Sequence, residues 1–297
     1  MNHYMFPNHE RYLNEICDNI GELTKNKDTE FSNMSEIEFE EVKISILCDG
    51  YMFEGKEDNS MLKETFATYL HDLQLKKVYY LDSSEFNQPC LKEEHKREIE
   101  RYLECTQMLK KIDDDSEDSK KTIISEKQIK DVYEKMLGSP FQLRTKESYT
   151  YIRSCDIHYY IMHTQIHGRL NRLINDVNED YEKFTENQYD VKTHVQKSIE
   201  LLSKFIVRFL NIHPFEDGNG RISRLLANHM FSRLVSYPLW SAPIYLYLVY
   251  PPGIKRKYMK SLIQSNTDYN MGIKCMCKTI TQSLNLVLKK MVTDISF

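Results

Sequence analysis

The chain has no Cys-x-x-Cys spacing, and its seven cysteines, at 17, 48, 90, 105, 155, 275 and 277, are scattered and odd in number. Cys275-Met276-Cys277 has no His or Cys cluster beside it in sequence. Neither a zinc site nor a disulfide framework is indicated, and a reducing compartment is the simplest setting. A basic surplus is lacking too. With a net charge of −4 and 28% charged residues, nothing in the composition suggests a nucleic-acid partner. No run approaches the roughly eighteen apolar residues that mark a membrane span. The opening Met1-Asn2-His3-Tyr4 leads into no apolar h-region. The expectation is a protein with no membrane partner, cytoplasmic or delivered into another cell as an effector. Internal repeats and low-complexity tracts are likewise missing.

What the chain does have is helical periodicity over enough length, 297 residues, to bury a sizeable core. Residues 1–35 read as a short helix and loop, and 36–50 as a helix ended by Gly50. Leu62, Phe66, Tyr69, Leu70 and Leu73 mark a helix over 60–73, and Ile99, Tyr102, Leu103 and Leu109 another over 93–112. The acidic run Asp113-Asp114-Asp115-Ser116-Glu117-Asp118 reads as a solvated loop rather than a metal site. Ser125-Glu126-Lys127-Gln128 has the form of a capping box, opening a helix that Gly138-Ser139-Pro140 stops. Residues 141–162, rich in Tyr, Ile and Thr, carry the one convincing β signal. Helices are expected over 165–178 and 191–211, the latter with Val195, Ile199, Leu202, Phe205, Ile206 and Phe209 on its apolar positions. Another carries Leu225, Leu226, Met230 and Leu234 up to the Tyr237-Pro238 break, and two more span 254–266 and about 275–293. The expected fold class is all-α, a helical bundle with a small β-hairpin. The expected organisation is an extension over 1–40, a helical region over 41–112 and a core over 120–290.

One stretch carries the chemistry. Between two of these helices lies His213-Pro214-Phe215-Glu216-Asp217-Gly218-Asn219-Gly220-Arg221-Ile222-Ser223-Arg224. It sets an imidazole, a carboxylate, a Gly-Asn-Gly turn and two guanidiniums within a dozen residues. A glycine turn opening a helix presents unpaired backbone N–H groups, which makes it a ready anion site. An imidazole supplies a base near neutral pH, and a carboxylate supplies a hard oxygen for a divalent cation. Arg221 and Arg224, one helical turn apart, share a face from which to hold phosphates.

These residues resemble the complete Fic signature, His-Pro-Phe-x-Asp/Glu-Gly-Asn-Gly-Arg-x-x-Arg, without departure, and the resemblance extends over about 41–285. It implies a Fic fold and a protein adenylyltransferase: a target hydroxyl attacks the α-phosphate of ATP, and pyrophosphate leaves. By the same resemblance, His213 is the general base and Asp217 the ligand of Mg²⁺ or Mn²⁺. Gly218, Asn219 and Gly220 form an anion hole, Arg221 and Arg224 hold the β- and γ-phosphates, and Phe215 anchors the loop. Tyr258, Met259 and Asn266 fall where such proteins line the adenine pocket. The segment from Leu143-Arg144-Thr145 to Tyr151-Ile152 falls where a hairpin flap docks an extended stretch of the target by strand addition. A purely structural hairpin is the alternative. The implied partners are a protein substrate, the chain itself through self-modification, and a second copy in a homodimer.

Many Fic proteins carry an inhibitory helix of the form Ser/Thr-x-x-x-Glu-Gly/Asn, whose glutamate pairs with the second motif arginine. No full match follows the motif here. Before it, Ser45-Ile46-Leu47-Cys48-Asp49-Gly50 fits except that Asp49 stands for glutamate, and Glu54-Gly55 has the acid but lacks the Ser or Thr. Asp49 is either a partner of Arg224, one methylene short, or part of an ordinary Asp-Gly helix stop. It is alternatively the acid that positions water for AMP removal. Transfer of another nucleotide or of phosphocholine, de-adenylylation, and an idle scaffold whose hairpin binds a partner are the competing readings.

Overall fold

The computed structural model describes residues 6, 8–25, 101, 104–105, 107–109, 111, 122–153, 156–235, 261–265 and 268–295. Its elements in order are α1 (His9–Lys25), α2 (Glu126–Leu137), β1 (Tyr149–Arg153), β2 (Asp156–Tyr159), α3 (Ile166–Glu186), α4 (Val191–Ile212), α5 (Asn219–Leu234) and α6 (Tyr269–Ile295). Among the described residues the fold is mostly helical with one antiparallel two-stranded sheet, as the sequence predicts. The expected helices over 36–50 and 60–73 and the acidic loop lie outside the described residues.

The organising element is α4. The sequence marks one apolar stripe along it, and all six of those residues are buried. Leu201, Val207, Leu210 and Ile212 are buried as well, so the helix is covered on nearly every side. α1, α3, α5 and α6 pack around it, and α2 leans on α5. Asp190 caps its start, accepting from the Thr193 N–H at 3.0 Å, and those Thr193 bonds hold the Asp190 carboxyl below its usual range. Phe205, Phe209, Phe215 and Phe231 are among the largest wholly buried side chains, so the core reaches the loop that follows α4.

The capping box of α2 is present in both directions. Gln128 N–H donates to Ser125 Oγ at 3.1 Å, and Ser125 N–H donates to Gln128 Oε1 at 2.7 Å. Gly138 closes the helix in the left-handed region at φ 65°, its N–H on the Glu134 carbonyl. α3 runs on to Glu186, beyond the 178 expected, and buries Tyr181 and Phe184 in its extra turns. α6 begins at Tyr269, ahead of the expected 275. In the N-terminal extension, α1 packs against α6 and α4, with Leu13 and Ile16 wholly buried. Glu15 receives Lys289 and Asn285 of α6, each at 2.7 Å, together with Arg11 at 2.9 Å. Those bonds, the Lys289 one foremost, hold its carboxyl down at about 2. Among the described residues, no helix is long and apolar enough to cross a membrane.

Candidate active site

α4 ends at His213, whose backbone takes the left-handed conformation (φ 48°, ψ 62°) and whose N–H bonds the Phe209 carbonyl at 2.9 Å. That conformation is the ordinary way to cap a helix, but glycine is its usual occupant. The His213 ring stacks on Tyr160 with centroids 3.7 Å apart and planes 11° from parallel.

Phe215 then plunges into the core. Its ring lies 4.5 Å from Tyr133, 5.9 Å from Phe141 and 6.2 Å from Phe209, so α2, α4 and the segment after α2 all grip it. The anchoring role expected of Phe215 is what the packing shows.

Asn219 departs from its expected role. Its Oδ1 accepts from the Phe215 N–H at 3.0 Å, and its Nδ2 donates to the Phe215 carbonyl at 2.7 Å. The amide is buried and both its ends are engaged by the loop itself, so the side chain sets the shape of the turn rather than lining an anion hole. Its main-chain N–H, at the first position of α5, still belongs to the helix N-terminus.

Gly218 precedes it in the left-handed region at φ 80°, where a Cβ would come within 3.1 Å of Leu137 Cδ2. The positive φ therefore favours glycine here, and an added Cβ would press on the end of the Leu137 side chain of α2. The first backbone bond of α5, Ile222 N–H to the Gly218 carbonyl at 2.9 Å, leaves the N–H groups before it directed out of the helix end.

The two arginines differ. Arg224 is buried, and its Nη1 would lie 3.1 Å from a Cβ at Gly220, so the guanidinium is laid along the N-terminal turn of its own helix. A cation beside the positive end of the helix dipole, with N–H groups pointing the same way, favours one and the same anion. Arg221 donates from Nη2 to Asp217 Oδ2 at 2.8 Å. The Asp217 side chain in this pair is 78% exposed, so the bond is worth at most about 1 kcal/mol and exchanges readily for a phosphate or a cation. Among the described residues no three His, Cys, Asp or Glu side chains gather into a metal-holding group. An exposed carboxylate such as Asp217 fits a divalent ion that arrives with a polyphosphate and keeps its waters, as Mg²⁺ does.

His213, Asp217, Gly218, Asn219, Gly220, Arg221 and Arg224 thus gather at the junction of α4 and α5. The hairpin begins later than expected. Thr145 is exposed and Leu143 packs half-buried against the core, both in the coil ahead of β1. Tyr151, opposite Ile157, and Ile152 lie on β1. Asn266 and Asp49 lie outside the described residues, as do Tyr258 and Met259. The helical turn 261–265 just before Asn266 is tied to α4, since Asn211 Nδ2 donates to Ser265 Oγ at 2.7 Å.

Two residues to which sequence reasoning assigned no role of their own lie against His213: Tyr160, and Arg144 of the expected flap segment. Arg144 is 2% exposed. Its Nε donates to the His213 carbonyl at 2.7 Å, Nη1 to the Lys146 carbonyl at 2.7 Å, and Nη2 to the carbonyls of Ile161 and, at 3.3 Å, Ile212. Burial holds its pKa below the ordinary arginine value, while Glu147, Glu216 and Tyr160 pull the other way. Neither residue sits in a recognisable pattern, so no local signal marks it.

Comparison with known proteins agrees with this geometry. Residues 117–231 match the model of the Fic/DOC family. Three similar solved structures are a Fic family protein from Desulfovibrio desulfuricans, a Fic domain containing signaling protein from Bacteroides thetaiotaomicron, and Fic-1 (residues 134–508) from C. elegans. Their TM-scores are 0.59, 0.55 and 0.51, at 13%, 16% and 17% identity. They cover 97%, 93% and 95% of this chain and 75%, 96% and 71% of their own. Identities this low establish the fold. A stretch of 64 residues is also 34% identical to the ribonucleoside-diphosphate reductase small chain of Ostreid herpesvirus 1. It covers 22% of this chain, which spans a tenth of that relative's length.

Proposed function

We propose for this chain, whose residues 117–231 match the model of the Fic/DOC family, the activity of a protein adenylyltransferase, with AMP passing from ATP to a Ser, Thr or Tyr hydroxyl of a target protein. The observation that carries this reading is the intact loop: a base, an exposed carboxylate and two arginines around one glycine-bearing helix N-terminus. In the transfer, the target hydroxyl oxygen bonds to the α-phosphorus as the α–β bridging bond breaks. The hydroxyl proton goes to His213, and pyrophosphate departs. The N–H groups at the start of α5 face the charge that develops on the phosphoryl oxygens. Arg221, released from Asp217, and Arg224 hold the leaving phosphates. Asp217 would then hold Mg²⁺ or Mn²⁺, which supplies charge neutralisation on the polyphosphate.

The strands of the hairpin offer backbone edges to an extended segment of the target, and Tyr151 is a flap residue placed on one of them. The chain itself is a second substrate in this reading, and a homodimer brings one copy's hydroxyls to the other's loop. Asp49 is the acid proposed to restrain Arg224.

The test is incubation with α-labelled ATP and Mg²⁺, alone and with cell lysate. Label and an adduct of AMP mass should appear on protein, and His213→Ala should abolish them while keeping its circular dichroism. Transfer that persists in His213→Ala removes the base assignment. An adduct of another mass removes AMP as the transferred group.

A further inference from the structure

The torsion that turns an imidazole about its Cβ–Cγ bond is broad, so His213's own backbone does not set the plane of its ring. A residue outside the loop has to. Tyr160 lies flat on that ring, at 3.7 Å and 11°. It stands immediately after β2, and its N–H donates to the Ser148 carbonyl, just ahead of β1, at 3.2 Å.

The main chain of His213 is held from the same place. Arg144 bonds the His213 carbonyl through Nε, and its own N–H donates to the Pro214 carbonyl at 2.9 Å. Its Nη2 reaches both Ile161 and Ile212, and Ile161 N–H donates to the Asn211 carbonyl at 3.4 Å. Arg144 in one foot of the hairpin, and Tyr160 and Ile161 in the other, therefore tie the hairpin to residues 211–214. Ring and carbonyl of one histidine are gripped by the segments that carry the strands.

We propose that Tyr160 and Arg144 are positioning residues for His213, Tyr160 fixing the plane of its imidazole and Arg144 its backbone, so that the hairpin and the base move as one unit. A target strand added to the hairpin then meets a base whose direction is set by the same residues. In its kinetic consequence this rests on the adenylyltransferase reading. In its geometry it does not.

Because Arg144→Met removes a buried cation that bonds four carbonyls and is at risk of misfolding, the test uses Tyr160. Tyr160→Phe keeps a ring to stack, and Tyr160→Leu does not. In AMP transfer, Tyr160→Leu should lower kcat about tenfold or more with the KM for ATP within about twofold of wild type. Tyr160→Phe should stay within about twofold in both. A leucine variant with wild-type kcat overturns the proposal, as does a phenylalanine variant as impaired as leucine. The second readout needs no activity. In protein carrying ¹³C-labelled histidine, the His213 ring signal is identified by its loss in His213→Ala. Removing the stacked ring in Tyr160→Leu should shift it, and Tyr160→Phe should leave it close to wild type. An unmoved signal in Tyr160→Leu also overturns the proposal. A moved signal in a protein that transfers no AMP supports the positioning and counts against the adenylyltransferase reading instead.

Discussion

His213 occupies a backbone conformation that costs a side chain with a Cβ roughly 1 kcal/mol, and it does so at a helix end where glycine is the common solution. The histidine is kept there at the expense of stability, as residues that carry chemistry often are. Two substitutions separate the parts. His213→Gly should be more stable than His213→Ala by about 1 kcal/mol in urea unfolding, because only glycine relieves the positive φ. Equal stability of the two would show that the turn relaxes once the ring is gone. Gly218, five residues later at φ 80° and close to Leu137, is a glycine where the backbone favours one. Asn219 completes the picture of a loop shaped from inside: its amide replaces a missing secondary-structure ladder for Phe215.

The helices supply the walls that these residues press against. α2 contributes Tyr133 to Phe215 and Leu137 to Gly218, so the stability of a helix outside the motif bears on the loop's shape. Ser125→Ala removes the Oγ acceptor of its capping box and should cost about 1 kcal/mol by chemical denaturation. An unchanged midpoint would mean that water satisfies the Gln128 N–H equally well. α4 illustrates how a central helix differs from a surface one. Its apolar residues at 3.6-residue spacing gave one face, whereas its neighbours on four sides demanded the rest. The hairpin shows the converse. Its register, Tyr149 opposite Tyr159 and Thr150 opposite His158, follows from where the turn falls, and the run of β-forming residues from 141 onward did not mark that point.

For the molecule as a whole, the buried histidine of α5 gives a pH signature. Burial first, and the nearby Arg233 charge second, lower the His229 pKa from 6.5 to about 4. The folded form therefore binds this proton less readily than the unfolded chain does. Stability from His229 is fully present above about pH 6.5 and is lost as pH falls towards 4, by up to about 3 kcal/mol. Urea unfolding of wild type and His229→Gln at pH 7 and pH 4.5 should show a smaller acid loss in the variant, and equal losses would assign the acid sensitivity elsewhere. His9, in α1, is lowered in the same direction by burial and adds to the effect. The Glu15 carboxyl, held down at about 2, contributes stability that is lost only at more acid pH, from about 4.5 downwards.

Motif identity, helix periods and the capping box were legible in the chain, because each is a local relation between residues a few positions apart. A helix start is announced by its cap, and a candidate anion-binding turn by its glycines and arginines. The direction of the Asn219 amide was not legible, since an asparagine between two glycines serves a ligand or a backbone equally well until the loop is folded. Arg144 and Tyr160 were hidden for a stronger reason. Arg144 reaches His213 across 69 residues, and the Tyr160 ring meets that imidazole across a similar stretch of chain. Contacts at such separation exist only once α4 is buried and the hairpin is laid against its end. Local chemistry named the candidate reacting groups, and packing around one central helix set what the His213 ring stacks on and what holds its carbonyl.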